Sequence, residues 1–148
     1  MLTNNYQGIL DQMCTQETPK SEMYKTTEGT TAREGYNPIT IVKKTPKIQL
    51  GTGSTAPKRT DYVLESPIDE SLYDFSFVYQ RTQDFSNENS YSQFLISVTN
   101  KSSEQLTANE CALCVNTNSN WYVIAREVFD TPITLGVGET KSFVLKLF

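Results

Sequence analysis

From residue 39 onward the chain is built of short runs in which apolar and polar residues alternate, separated by turn residues. The clearest run is 72–82, where every second residue is aromatic: Tyr73, Phe75, Phe77 and Tyr79. Successive side chains of a strand point to opposite sides, so these four share one face. Similar runs predict strands at 39–43, 47–50, 72–82, 92–100, 106–115, 121–129, 133–135 and 142–148. The sequence therefore predicts an all-β fold, an antiparallel β-sandwich or jelly roll of about seven to eight strands.

The N-terminal region, 1–37, differs from the β domain predicted for 38–148. A short helix is predicted over 2–14, because apolar residues recur at helical spacing: Tyr6, Ile9, Leu10 and Met13. Residues 15–37 are rich in Thr, Glu, Lys and Gly and show no period, which predicts an extended arm. The apolar stripe of the helix either packs on its own domain or contacts a neighbouring subunit. An arm of this composition is expected to become ordered on such a neighbour.

Composition argues against nucleic-acid and membrane partners. The net charge is −4 and the sequence pI is about 4.8, whereas non-specific nucleic-acid binding relies on Lys and Arg that neutralise phosphates. A run of about 18 apolar residues, the minimum for a membrane span, does not occur. The first residues lack the basic and apolar regions of a secretory signal. We therefore expect a protein that folds in the cytosol.

The residue types needed for catalysis are scarce. The chain has no histidine, so Ser–His and Cys–His nucleophile pairs cannot form. Cys111 and Cys114 have the CxxC spacing, but they lie in a predicted strand, where residues three apart face opposite sides. Cys14 is the third cysteine, so a zinc site of four cysteines cannot be completed within one chain. Two packed thiols are therefore expected rather than a redox or zinc site. These patterns predict no enzyme activity and no metal.

Two further patterns bear on cofactor binding and on glycoside hydrolysis. Gly51 and Gly53 follow a strand, but neither the dinucleotide-binding glycine spacing nor a GK[ST] sequence follows them, so no cofactor is expected. Paired carboxylates can hydrolyse glycosides. The acidic residues before and at the start of the run 72–82 are nevertheless expected to be ordinary solvated side chains: Asp61, Glu65, Asp69, Glu70 and Asp74.

One pair of charges stands inside apolar strands. Glu110 precedes the apolar run 111–115, and Arg126 interrupts the apolar run 121–129. Alternation places Glu110 on one face with Ala112 and Cys114, and Arg126 with Tyr122 and Ile124. If the two strands are neighbours, we expect Glu110 and Arg126 to form a partly buried ion pair that fixes the pairing of the strands. Removal of one partner would leave the other charge buried without a counter-ion, which is costly.

Three segments, taken together, resemble a group of tailed-bacteriophage particle proteins. IQLGTGSTAPKRTDYVLESPI at 48–68 resembles the group's opening pattern of L-G-T-G, then Pro, then Asp and Leu. LTANECALCVN at 106–116 resembles its T-x-x-E-x-G-L strand, with Ala112 in place of Gly, and YVIAREVFDTPITLGVGETKSFVLKLF at 122–148 resembles its L-A-R-x-V-F ending. The resemblance assigns scaffold roles to Gly51, Gly53, Asp61, Glu110, Arg126 and Gly138.

The resemblance implies a structural role in a virion that is assembled in the host cytoplasm. A tail, neck, collar or fibre-attachment component is expected, bound to other virion proteins and to copies of itself through its N-terminal arm. Two other functions remain open. A capsid decoration protein would use the same fold on the head. A carbohydrate-binding sandwich would recognise host-surface glycans through aromatic side chains: Tyr79, Tyr91, Trp121 and Tyr122.

Overall fold

The computed structural model describes residues 1–6, 24–29, 31–32, 46–82, 91–117 and 120–147. This part of the chain is predominantly β. Its strands are β1 (Tyr24–Lys25), β2 (Thr31–Ala32), β3 (Lys47–Gly51), β4 (Tyr73–Thr82), β5 (Tyr91–Asn100), β6 (Leu106–Thr117), β7 (Asn120–Leu135) and β8 (Thr140–Leu147). A 3-10 turn, Glu70–Leu72, precedes β4, and residues 4–6 are helical.

Six of the strands form two three-stranded antiparallel sheets. β6 lies between β3 and β7 in one sheet, and β5 lies between β4 and β8 in the other. One cluster of buried side chains draws on all six strands, including Leu50 of β3, Leu113 of β6, Tyr73 of β4, Ile96 of β5 and Leu145 of β8. The predicted β class is thus confirmed. The strand predicted at 39–43 lies outside the described residues.

The period-2 pattern correctly identifies the buried face of the β4–β5–β8 sheet. Phe94, Ile96 and Val98 of β5 are buried, as alternation predicts. The aromatic residues of β4 follow the same face: Phe77 packs edge-on against Phe94 with ring centroids 5.4 Å apart. Tyr79, near the end of the strand, also contacts Phe94 but is 50% exposed. The aromatic row therefore extends from the core to the rim.

Strand β7 is longer than predicted. The two segments predicted at 121–129 and 133–135 are one strand, Asn120–Leu135, that pairs with β6 on both sides of an irregularity. The register passes from Glu110↔Val128 to Ala108↔Ile133, and Pro132, which has no N–H to donate, lies in the interruption. Phe129 in this stretch packs edge-on against Phe143 of β8, with centroids 5.0 Å apart. Phe129, within the irregularity, therefore contacts the other sheet.

The N-terminal region lies partly on the β domain. Leu2 forms an antiparallel bridge with Ala125 of β7 and packs against the main core. The prediction of an arm without structure over 15–37 is wrong at its centre, because β1 and β2 pair as a small hairpin whose turn contains Gly29 at φ 81°. Two-residue strands are too short to show a period in the sequence. Of the four residues predicted to form the helical stripe, Tyr6 is described, and Ile9, Leu10 and Met13 lie outside the described residues.

The turn between β7 and β8 depends on one glycine. The Glu139 N–H donates to the Gly136 carbonyl at 3.0 Å, which closes a four-residue turn with Gly138 in its third position at φ 71°. Residues other than Gly rarely adopt this backbone conformation. The Glu139 carboxylate also accepts the Gly136 N–H at 2.7 Å, and this backbone hydrogen bond lowers the pKa of Glu139.

Gly138→Ala is expected to destabilise the protein by about 1 kcal/mol, because a left-handed backbone is costly for an L-residue. A Cβ at Gly138 meets no atom within 4 Å, so the loss is conformational rather than steric. Gly136→Ala is the matched control, since its Cβ would meet Glu139 Oε2 at an ordinary 3.5 Å. Thermal unfolding monitored by circular dichroism measures both variants. Equal midpoints for the two variants would contradict this explanation.

Candidate functional site

Five of the six predicted scaffold residues meet in one place: Gly51, Gly53, Asp61, Glu110 and Arg126. We call this set the charge cluster. It lies on the side of the β3–β6–β7 sheet that faces away from the main core, beneath the loop 52–66. The sixth residue, Gly138, lies in the β7–β8 turn and has a separate structural role.

The loop 52–66 is closed at its base. Gly51 bridges Pro67, the Thr52 N–H donates to the Ser66 carbonyl at 2.8 Å, and the Ile68 N–H donates to the Leu50 carbonyl at 2.8 Å. A compact loop whose ends are joined in this way packs against its own domain as a unit.

Glu110 lies under this loop and is the most enclosed charge of the cluster. Its side chain is 0% exposed. Oε1 accepts hydrogen bonds from the N–H groups of Gly53 and Ser66, each at 3.1 Å. Oε2 accepts a hydrogen bond from Nε of Arg126 at 2.8 Å. A buried carboxylate is tolerated only when it is paired and hydrogen-bonded, and both conditions are met here. Glu110 therefore attaches the two ends of the loop to β6.

Arg126 completes the cluster from β7. Its Nη2 lies 2.8 Å from Glu110 Oε2 and 3.0 Å from the Thr55 carbonyl, and Nη1 lies 2.6 Å from Asp61 Oδ2. Burial alone would lower the pKa of Arg126, but the hydrogen bonds that it donates to the Asp61 and Glu110 carboxylates outweigh burial and raise this pKa. The side chain is 4% exposed, and the guanidinium stays charged. The predicted ion pair between Glu110 and Arg126 is confirmed.

The predicted face of Arg126 is wrong. Cys114 pairs with Val123 and Leu113 pairs with Ala125, so Ile124 is an extra residue on β7, a β-bulge. Ile124 packs against the main core, whereas Arg126 lies on the opposite face with Glu110. The bulge thus turns Arg126 toward the loop.

Two glycines make room for the carboxylate. Gly51 lies directly across from Glu110 in the β3–β6 ladder, and a Cβ at Gly51 would overlap three atoms of the Glu110 side chain. A Cβ at Gly53 would lie 2.6 Å from Glu110 Oε1 and 2.5 Å from Glu65 Cβ. Because such approaches are far inside van der Waals contact, the L-G-T-G segment is glycine-rich for steric reasons. This explains the pattern without a bound phosphate.

The acidic residues predicted to be solvated include two with structural roles. Asp61 pairs with Arg126 and also accepts the Lys58 N–H at 2.8 Å. Glu65 accepts the N–H groups of Ser54 and Thr55 at 3.0 and 2.9 Å, and the bond from Thr55 is the main cause of its lowered pKa. The resemblance had marked Asp61 as a scaffold residue, but no signal in the sequence marked Glu65.

The remaining acids near β4 make local contacts. Asp69 caps the 3-10 turn by accepting the Ser71 N–H at 2.9 Å, Glu70 pairs with Lys47, and Asp74 pairs with Lys101. None of these pairs is enclosed by the protein, so each contributes little to stability.

Cys111 and Cys114 lie on opposite faces of β6, as predicted. Cys111 packs in the main core, and Cys114 packs with Leu64, Ala112 and Val123 in a second cluster under the loop. Burial raises the pKa of Cys114 to about 12 and also raises the pKa of Cys111. Both thiols therefore stay protonated at neutral pH, which is unsuited to redox chemistry or metal binding. Cys14 lies outside the described residues.

Of the aromatic side chains predicted as glycan contacts, one is buried and one is partly buried. Tyr122 is 1% exposed. Trp121 is partly buried against the second cluster, and Lys47 Nζ lies 4.6 Å from its ring centroid. The side chain of Tyr91 lies outside the described part, and Tyr79 packs against Phe94.

Other chemistry is not apparent in the described residues. They contain no group of three His, Cys, Asp or Glu side chains arranged to hold a metal ion. None of their helices has the length and apolar character of a membrane span. Comparison with protein-family models, with curated proteins and with solved structures found no match for this chain.

Gly51→Ala is expected to cost about 1–3 kcal/mol of unfolding free energy, because the new methyl group forces the Glu110 side chain to move. In a background with Glu110→Ala and Arg126→Met the obstructing carboxylate is absent and no charge of the pair remains. The same Gly51→Ala change should then cost much less. Urea unfolding of the four chains gives both values, and an equal cost in both backgrounds would show that Glu110 is not the reason for this glycine.

Proposed function

We propose that this chain is a structural protein of a tailed-bacteriophage particle, a tail, neck, collar or fibre-attachment component that acts by binding its neighbours. The observation that supports this most is the charge cluster. The resemblance rests on three short motifs that are far apart in the sequence, and residues from all three interlock in one buried site.

The interlocking gives the resemblance a physical basis. Gly51 and Gly53 leave space for Glu110, Glu110 binds Arg126, and Arg126 binds Asp61. Each of these residue types is required by another member of the set. A pattern shared with other proteins by chance would not be expected to have this mutual dependence.

We infer that the two sheets form a β-sandwich. The shared buried cluster between the sheets supports this architecture. A sandwich of this type is a rigid body that presents edges, faces and loops to other proteins, which suits a part used in many copies.

The outer face of the β4–β5–β8 sheet offers a surface for such contacts. Val78, Leu95 and Val144 lie side by side across the three strands, and Val78 and Val144 are 58% and 40% exposed. The next row across the strands consists of Ser76, Ser97 and Ser142, with the last two hydroxyls 2.8 Å apart. This uncharged part of the face can be covered by another subunit without stranding a charge.

Immunogold electron microscopy tests the proposal on purified particles of the phage that encodes the chain. The particles are purified on a density gradient and then labelled. We expect gold at the tail, the neck or the fibre attachment. Label on the head would instead support a capsid decoration protein. Chain that is found only in the soluble fraction of the lysate, and never on particles, would contradict a structural role.

A further inference from the structure

The open edge of β7 is occupied by the N-terminus of the chain. β7 is an outer strand of its sheet, since β6 is the one described strand that pairs with it there. On its other side the Thr3 N–H donates to the Ile124 carbonyl at 3.0 Å, and the Arg126 N–H donates to the Met1 carbonyl at 3.0 Å. Residues 1–3 therefore extend the sheet by a short antiparallel strand, which is the contact geometry of β-augmentation.

Two buried polar side chains fix the position of this added strand. Thr3 is 1% exposed and Asn5 is 3% exposed. Thr3 Oγ1 donates to the Val123 carbonyl at 2.6 Å, and Asn5 Nδ2 donates to the same carbonyl at 3.2 Å. A shift of the segment by one residue along β7 would leave these polar groups without hydrogen-bond partners, which is costly for buried atoms. The edge thus recognises a specific segment, Leu2–Thr3–Asn4–Asn5.

The β1–β2 hairpin binds at the same place as this segment. Asn5 bonds both main-chain groups of Lys25: its Oδ1 accepts the N–H at 2.9 Å and its Nδ2 donates to the carbonyl at 2.9 Å. The Thr27 N–H donates to the Trp121 carbonyl at 2.9 Å, and Lys25 Nζ lies 3.7 Å from the Tyr62 ring centroid. These contacts hold residues 1–6 and the described residues of 24–32 together. We call this set the arm, in place of the stretch 15–37 that the sequence predicted.

The site that receives the arm belongs entirely to the β domain. It consists of the edge 121–126 of β7 and residues 59–62 of the loop over the charge cluster, where the Arg59 carbonyl accepts the Asn4 N–H at 2.7 Å. The arm is joined to this domain through 33–45. That stretch, if extended, spans up to about 45 Å at roughly 3.4 Å per residue. A domain of about 100 residues is about 33 Å across, from a radius of gyration of about 13 Å. The arm can therefore reach the same site on an adjacent copy.

We propose that copies of this chain exchange arms, so that the β7 edge of one copy binds Leu2–Asn5 and the β1–β2 hairpin of another. The inference rests on the proposed structural function, which requires contacts between copies. Every contact of the arm with the β domain is kept in the exchange, so exchange gains cohesion between subunits at little energetic cost.

Disulfide trapping between co-expressed chains tests the exchange. All chains carry Cys14→Ser. One carries Leu2→Cys and the other Ala125→Cys, the two residues that face each other across the bridge. Exchange predicts a heterodimer joined by a disulfide after mild oxidation. One of the two chains carries a size tag, so that a non-reducing gel separates the heterodimer from either homodimer. The matched control is Thr99→Cys with Thr140→Cys, which face each other between β5 and β8 inside one domain and should give only background cross-linking.

The opposite result is also defined. If Leu2→Cys and Ala125→Cys cross-link only when placed in the same chain, the arm binds its own domain and the exchange is excluded. A heterodimer yield no higher than that of the control pair has the same meaning. Neither result affects the immunogold test of the proposed function, so the two proposals can fail separately.

Light scattering provides a second measurement that does not depend on new cysteines. Thr3→Pro removes the N–H that binds Ile124 and the hydroxyl that binds Val123, whereas Thr3→Ser keeps both. Exchange predicts that the unmodified chain and Thr3→Ser form oligomers and that Thr3→Pro is monomeric. An unmodified chain that stays monomeric at high concentration would overturn the proposal.

Discussion

The rest of the structure depends on the way in which the Glu110 carboxylate is buried. An isolated carboxylate at 0% exposure would be strongly destabilising. It is accommodated because two backbone N–H groups from the loop 52–66 and the guanidinium of Arg126 surround it. The two N–H groups come from the two ends of the loop, and the guanidinium comes from β7. The requirement to neutralise one charge thus joins β6, β7 and the loop over them.

Arg126 connects this interior interaction to the surface of the protein. Its side chain binds Glu110 and Asp61, while its backbone N–H binds the Met1 carbonyl at the open edge of β7. The loop held by the cluster also supplies the Arg59 carbonyl that binds Asn4. The buried pair therefore shapes the site that receives the arm. If copies exchange arms as proposed, the same residues link the stability of one subunit to the attachment of the next.

The sequence predicted most of the strands but not the details that create the cluster. Antiparallel strands with one buried face, such as β4 and β5, show a clear period of two. The run 121–125 is apolar on both faces, so the pattern gives no sign of the bulge at Ile124, and alternation places Arg126 on the wrong face. The partnership of Asp61 with Arg126 links residues 65 positions apart through loop closure. Only the resemblance, and no local pattern, marked Asp61.

A double-mutant cycle measures the central interaction directly. Urea unfolding of the unmodified chain, Glu110→Gln, Arg126→Met and the double variant gives the coupling between the two side chains. Arg126→Met should cost about 3–5 kcal/mol, because it leaves the Glu110 charge buried without its partner. The double variant should be clearly more stable than the sum of the two losses predicts. Strictly additive losses would contradict the account, since they would mean that the two side chains stabilise the fold independently.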